Sequence, residues 1–392
     1  MRLSILHEDF AVEPRVSGSP DTVKRLVALG AEVVVASGAG VASGVLDADY
    51  SAAGASIAAD NAAVVKGADV ALAVRRPTAA QLAGVNPGAL VVAIMDPYGH
   101  EAELAELASA GVSTIAMELM PRITRAQVMD VLSSQANLAG YRAVIDASAE
   151  FGRAFPMMMT AAGTVPAARV FVMGAGVAGL QAVATARRLG AVVSATDVRP
   201  ASKEQVESLG AKFVAVEDDE FKQAETSGGY AKPMSAEYQA KQAALVAAHI
   251  AKQDVVITTA LIPGRAAPKL VSAEMVAAMK PGSILVDLAV ERGGNVVGAV
   301  PGEVVTTPNG VKIVGHLNVP GRLAATASQL YAKNLYAFLE TQIDKASKAL
   351  AVKWDDELVK ATLLTRGGAV VHPAFSKAEV VAEVKPEATP AA

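Results

Sequence analysis

The sequence predicts an α/β protein made of two doubly wound domains, each a parallel sheet covered by helices on both faces, flanking a cleft. Three observations predict it. Short aliphatic runs alternate with helical patterns along most of the chain, as strand–helix–strand units require. At 392 residues the chain exceeds the size at which one hydrophobic core usually stops growing. Residues 174–179 read GAGVAG, directly after an apolar run and at the opening of a helical pattern.

The first series of elements fills roughly residues 1–120. Its strand candidates are RLSIL (2–6), AEVVVAS (31–37), VALAV (70–74), ALVVAIM (89–95) and VSTIAM (112–117). Between the first two lies SPDTVKRLVALG, where Ser19 is an N-cap and Pro20 fills the first helical position. A second series begins near Val170 with the strands RVFVMG, AVVSATD, KFVAV, DVVITTAL and SILVDLAV, joined by helices. VKIVGHLNVP (311–320) reads as another strand, 322–343 as a helix, and ATLLTRGGAVVHP as a hairpin. After His372 the chain turns polar and proline-bearing, which predicts a frayed tail.

Composition excludes several function classes. The chain is 52% hydrophobic, too apolar for disorder, and its net charge of −4 comes without a lysine/arginine block, so no nucleic-acid footprint is visible. It has no cysteine, which rules out disulfides, thiolate metal sites and cysteine nucleophiles together. Its opening, MRLSILHEDF, does not read as a signal peptide, and no uncharged apolar run approaches membrane-spanning length. A soluble, intracellular protein is expected, and no metal site.

Gly174, Gly176 and Gly179 form G-x-G-x-x-G in the strand-to-helix context that gives the motif meaning. The first glycine permits the tight turn, the second lets a pyrophosphate approach the backbone, and the third allows close helix–strand packing. The phosphates would then sit at the helix N-terminus, where free N–H groups and the helix dipole favour anions. Asp197, 23 residues after Gly174, ends the next strand, where a carboxylate accepts from ribose hydroxyls and repels a 2′-phosphate. NAD is expected over NADP, although Arg199 two residues on would tolerate a phosphate. GAGVASG at 38–44 also follows a strand, but Ser43 stands where the third glycine belongs and the next strand ends in Arg75 and Arg76. A plain turn is expected there. The insertion 217–237 admits two readings, a mobile lid hinged at Gly228-Gly229 with Tyr230 at its tip, or a solvated acidic loop.

The stretch MPRITRAQVMDVLSSQANLAGYRAV (120–144) crowds polar side chains into an otherwise aliphatic sequence. Thr124 and Gln127 fit a T-x-x-Q capping box, after which Gln127, Asp130, Ser134 and Asn137 would share one helical face. That face is either merely wetted or a site, with Arg122 presented from the loop before it. No H-E-x-x-H, G-x-S-x-G or Walker A motif exists, and the five histidines are far apart. His249 lies on an aliphatic helix and reads as packed or exposed; His316 alone ends a strand where ligands collect. A dehydrogenase acting on an alcohol or amine needs an acid/base group. Hydride exchange between two nicotinamide rings needs only that they be held in contact with water excluded.

The segments MELMPRITRAQVMDVLSSQANLAGYRAVIDA, FPMMMTAAGTVPAARVFVMGAGVAGLQA, TSGGYAKPM, ITTALIPGRAAPKLV and VDLAVERGGN closely resemble the NAD(H)-binding soluble alpha subunit (domain I) of proton-translocating NAD(P) transhydrogenase. The resemblance implies two Rossmann-like domains, 1–130 completed by 325–392, and 131–324 with a mobile loop at 217–237. It implies direct hydride transfer between NAD(H) here and NADP(H) on a partner beta subunit, coupled to proton translocation through membrane-spanning subunits. It implies a homodimer, cytoplasmic and held peripherally at the inner face of the membrane. It assigns Arg122, Gln127, Asp130 and Ser133 to the nicotinamide end, with Ile123 and Thr124 beside them. Gly174, Gly176, Val177, Ala178, Gly179, Asp197, Val198, Arg199, Gly229, Tyr230, Gln242 and Leu261 complete the NAD(H) contacts it implies. The related alanine dehydrogenases are the alternative. Their catalytic histidine belongs just after the fourth strand, where this chain reads AIMDPYGHEAEL, with His100 several residues late and after a proline-glycine turn. Arg75 replaces their substrate lysine, while Arg15 is present as in both families.

Overall fold

The computed structural model describes residues 1–222, 234–262 and 264–376. Two large sheets dominate it. The first has eight strands in the spatial order Ala369–Val370, Leu363–Arg366, Ser113–Ala116, Leu90–Ile94, Val70–Arg75, Arg2–Ile5, Glu32–Ala36, Ser56–Ala58. The second has seven, in the order Lys212–Phe213, Val192–Thr196, Arg169–Met173, Val255–Thr258, Ile284–Asp287, Lys312–Val314, Val304–Thr306. Both are parallel except at one edge, where the C-terminal hairpin closes the first and Val304–Thr306 closes the second. The aliphatic runs are continuous because the central strands are covered on both faces. Val70, Ala71, Val91 and Val92 are each fully buried.

Strand order reverses next to Arg2–Ile5 in one sheet and next to Arg169–Met173 in the other. Crevices outside the carboxyl ends of strands at such reversals are where doubly wound sheets bind ligands. In the first sheet that crevice is filled by the chain's own groups. Arg15, 3% exposed, donates to both carboxylate oxygens of Glu13 at 2.7 Å, and Arg75 adds a third contact at 2.8 Å. Tyr331 closes the floor, donating to the Ala73 carbonyl at 2.9 Å.

Three helices link the sheets to the candidate site. The long helix Val131–Glu150 lies against Val177–Arg188, and Gly140 makes the approach possible, since a Cβ there would stand 2.0 Å from the Ala178 carbonyl oxygen. The return helix Ala324–Thr341 packs on the first sheet and on the start of the long helix. Arg322 and Arg142 meet on Asp146.

Several local expectations need correction. The T-x-x-Q capping box does not form: Thr124–Met129 is a 3₁₀ turn without a side-chain cap, and the helix begins later, at Val131. Gln127, Asp130, Ser134 and Asn137 therefore do not share a helical face. Of KFVAV only Lys212–Phe213 pairs, and the helix read at 322–343 is 3₁₀ through Leu323. The strand Ser56–Ala58 and the hairpins Met158–Thr160/Gly163–Val165 and Ile343–Asp344/Ala349–Leu350 were not anticipated. GAGVASG is the plain turn expected, with Ser43 buried and hydrogen-bonded to Pro14 and Ser328.

Candidate functional site

The three motif glycines do different things. Gly174 has φ +105, and a Cβ on it would fall 2.4 Å from Thr259 Oγ1. A Cβ on Gly179 would fall 1.7 Å from the Gly174 carbonyl oxygen, so this glycine lets the helix start against the strand end. Around Gly176 a Cβ would meet nothing within 4 Å. Among the described residues that point is open. Gly176 caps Val177–Arg188 without any side-chain hydrogen bond, leaving the N–H groups of the first turn to an outside acceptor. The residues thus fit a dinucleotide phosphate.

Asp197 stands at the end of the neighbouring strand. Its carboxylate accepts from Ala175 N–H at 2.7 Å and, at 2.9–3.0 Å, from Arg199 backbone N–H, Nε and Nη2. Burial pushes its pKa up, but Arg199 and the two N–H donors outweigh burial and hold it below the usual carboxylate range. Asp197 therefore braces the glycine turn as well as presenting charge at the expected position. Val198 is exposed beside it. Gln242 accepts from Val216 N–H at 2.8 Å and donates to Thr196 Oγ1 at 3.2 Å, joining two strand ends at the same edge. Leu261, 52% exposed, follows the end of Val255–Thr258 at that edge. Gly229 and Tyr230, with most of the expected loop, lie outside the described residues.

The polar stretch reaches this edge through the long helix. Asn137 donates to Gln181 at 3.3 Å, and Glu150 at the far end pairs with Lys312, which opens a strand at the opposite edge. The helix therefore runs from the carboxyl edge toward the amino edge, alongside Val177–Arg188. Asp130 lies ten residues before Gly140, about 15 Å further along the axis, beyond the glycine turn. Asp130 is the N-cap: its carboxylate accepts from Ser133 N–H at 2.9 Å and Ser133 Oγ at 2.5 Å. Arg122 and Gln127 are exposed, and among the described residues neither side chain has a hydrogen-bonding or ionic partner. Ile123 caps the 3₁₀ turn and Thr124 opens it.

No described histidine takes an acid/base position here. His249 packs edge-to-face on Phe171 at 4.7 Å with Nε2 2.8 Å from Ser194 Oγ. His316 is half-buried, and burial followed by nearby Arg322 pushes its pKa down. His100 Nδ1 lies 2.8 Å from the Asp96 carbonyl oxygen. Asp96 itself, at φ +46, pairs with Arg292 of the other sheet's domain. Sequence reasoning missed three residues that shape the site. Arg125 pairs with Asp356 and Glu357, and Asn334 bridges Val128 and Ser134. Gly140 had one available signal, a glycine inside a helical pattern.

A doubly wound pair of sheets with a glycine turn at the switch point defines a dinucleotide-binding protein. Residues 4–139 match the Alanine dehydrogenase/PNT, N-terminal domain and residues 143–373 match the Alanine dehydrogenase/PNT, C-terminal domain. The chain belongs to the alanine dehydrogenase/PNT family. Within it, similarity to transhydrogenase alpha subunits is the stronger. An NAD(P) transhydrogenase subunit alpha protein of Rhodospirillum rubrum is 55% identical, over 96% of this chain and 99% of that protein. The alanine dehydrogenase of Halomonas elongata is 30% identical over 96% of each. The crystal structure of transhydrogenase from Sinorhizobium meliloti superposes with a TM-score of 0.87 at 63% identity, covering 95% of this chain and all of that one. An L-alanine dehydrogenase structure gives 0.77 at 25% identity, covering 96% and 98%.

Proposed function

We propose that this chain is the NAD(H)-binding subunit of a proton-translocating NAD(P) transhydrogenase, exchanging hydride directly between NAD(H) bound here and NADP(H) bound to a beta subunit. The observation that carries the reading is the pairing of an open glycine turn with a polar stretch that presents a guanidinium and an amide, holds no histidine, lysine or cysteine, and keeps its carboxylate Asp130 engaged as a helix cap. Bound NAD(H) supplies or accepts the hydride. The chain's residues hold and orient it. N–H groups of Val177, Ala178 and Gly179 hold the pyrophosphate, Gly174 and Gly176 admit it, and Asp197, Val198 and Arg199 take the adenosine ribose. Gln242 and Leu261, together with Gly229 and Tyr230 outside the described residues, are further NAD(H) contacts that the resemblance implies. Arg122 and Gln127, with Ile123 and Thr124, orient the nicotinamide end; Asp130 and Ser133 fix the start of the helix beneath it and contact its ribose.

The remaining elements of the proposal follow from the kind of relatives the chain has. Activity requires the NADP(H)-binding partner and is Re/Si-specific. Proton movement belongs to membrane-spanning partners, since among the described residues no helix is long and apolar enough to cross a membrane. The chain works as a homodimer at the cytoplasmic face of the membrane, and its domains divide as 1–130 plus 325–392, and 131–324. Against alanine dehydrogenase activity stand the missing histidine just after the fourth strand, His100 coming several residues late, and an Arg15 already held by Glu13. The test mixes the chain with an NADP(H)-binding transhydrogenase subunit and follows reduction of an NAD analogue by NADPH, with Gln127→Asn as control. Transfer that collapses in the variant is expected. NADH binding without transfer, and NADH oxidation by pyruvate plus ammonia instead, would overturn the proposal.

A further inference from the structure

We propose that Arg125 and Asn334 are positioning residues for hydride transfer, clamping the turn that carries Gln127 and closely follows Arg122 to the C-terminal segment and the return helix. The proposal rests on the reading that this turn meets the nicotinamide ring. A 3₁₀ turn has poorer hydrogen-bond geometry than an α-helix, and Thr124–Met129 begins without a side-chain cap. Its anchors must therefore come from elsewhere in the fold. Buried Ala126 and Met129 supply the apolar ones.

The polar anchors bracket Gln127. On one side Arg125 makes a fork to Asp356, Nη1 to Oδ2 at 3.0 Å and Nη2 to Oδ1 at 2.9 Å. Its Nε and Nη2 also reach Glu357 Oε1 at 3.2 and 3.0 Å. Asp356 is itself fixed, because it accepts from Leu358 N–H at 2.8 Å as the cap of Glu357–Thr362. An isolated surface ion pair holds little, but a bidentate guanidinium on a preset carboxylate with a second acid beside it fixes geometry. On the other side Asn334, 8% exposed, donates to the Val128 carbonyl at 2.8 Å and accepts from Ser134 Oγ at 2.8 Å. One amide thus ties the end of the turn to the first turn of the long helix. Both partners lie more than 200 positions away in sequence, so the tether joins the turn to a different part of the fold.

The consequence is kinetic. Adenosine and pyrophosphate are held at the glycine turn, so loosening the 124–129 turn leaves most of the binding contacts in place. Ring-to-ring distance suffers, and an ångström-scale misplacement costs hydride transfer disproportionately. The experiment compares Arg125→Ala, Arg125→Lys, Asn334→Ala and Gln127→Asn. For each it reads single-turnover transfer from NADPH on the partner subunit to an NAD analogue, NADH affinity by fluorescence, and the melting temperature. Either alanine variant is expected to slow transfer about tenfold while NADH affinity stays within about twofold, with partial recovery in Arg125→Lys. If Asn334→Ala does not fold, Arg125→Ala and its lysine rescue decide the matter. Wild-type transfer in Arg125→Ala beside a slow Gln127→Asn overturns this proposal alone. Wild-type transfer in Gln127→Asn as well overturns the reading of the site beneath it. Transfer, affinity and melting temperature falling together mark a merely structural role and also overturn the proposal.

Discussion

Replacing Gly176 by alanine adds one methyl at a point where nothing in the described chain lies within 4 Å. The backbone there, at φ −75, suits any L-residue. The protein itself should lose about 1 kcal/mol or less, the difference between glycine and alanine as an N-cap. The methyl does occupy the approach to the N–H groups of the first helical turn. Displacing one phosphate oxygen from a charge-assisted hydrogen bond costs about 1.5–3 kcal/mol, so NADH affinity should fall roughly 10- to 100-fold. Gly179→Ala behaves differently. Its methyl would start 1.7 Å from the Gly174 carbonyl, inside any real contact, so helix and strand must separate. That change should destabilise the protein by about 1–3 kcal/mol before any ligand is added. Titrating both variants with NADH by fluorescence, beside thermal melts, separates the two effects. Wild-type NADH affinity in Gly176→Ala, or a melting loss as large as in Gly179→Ala, would refute the assignment of the turn.

Further outcomes follow from the same geometry. Gly140→Ala should push the long helix off Ala178, and even a 1 Å shift should lower hydride transfer by up to about 10²-fold with NADH binding less affected; stopped-flow transfer checks it. Asp197→Asn removes the charge that repels a 2′-phosphate, so NADPH affinity should rise about tenfold in competitive titration. Because the Asp197 pKa is held down in the fold, its contribution to stability should be constant above the unfolded value of about 4 and disappear as pH falls through the folded one. Burial, then Lys212 and Lys252, push His249 down, so protonation opposes folding. The melting temperature should therefore drop as pH falls through about 6.5, and His249→Gln should flatten that drop.

The regions of the fold that could be read from sequence are those whose cause is local. Central strands read correctly because burial on both faces makes them uninterrupted aliphatic runs, as in Val70–Arg75 and Leu90–Ile94. The glycine turn was legible because Gly174 and Gly179 answer to close contacts within the turn or beside the adjacent strand end, while Gly176 leaves an open approach. The start of the long helix was not. Spacing pointed to a T-x-x-Q cap at Thr124, whereas the helix begins at Val131 with Asp130 as its cap. The turn before it is tied by Arg125 to Asp356 and by the Val128 carbonyl to Asn334, contacts that sequence spacing cannot reveal. Ser56–Ala58 was invisible for the opposite reason, being only three residues, an exposed serine and two half-buried ones, added to an edge. Asp197 follows the end of Val192–Thr196 as the spacing predicts, but its bracing of Ala175 required coordinates.

The central claim is that hydride passes directly from one nicotinamide ring to the other without a protein acid or base. Loading an NADP(H)-binding transhydrogenase subunit with NADPH deuterated on the transferred hydrogen, and adding this chain with NAD, tests it most directly. Mass spectrometry of the NADH formed should show full retention of deuterium, and proton NMR should place it in one stereochemical position at C4. NADH formed with solvent hydrogen in that position would contradict the account, as would deuterium distributed between both faces.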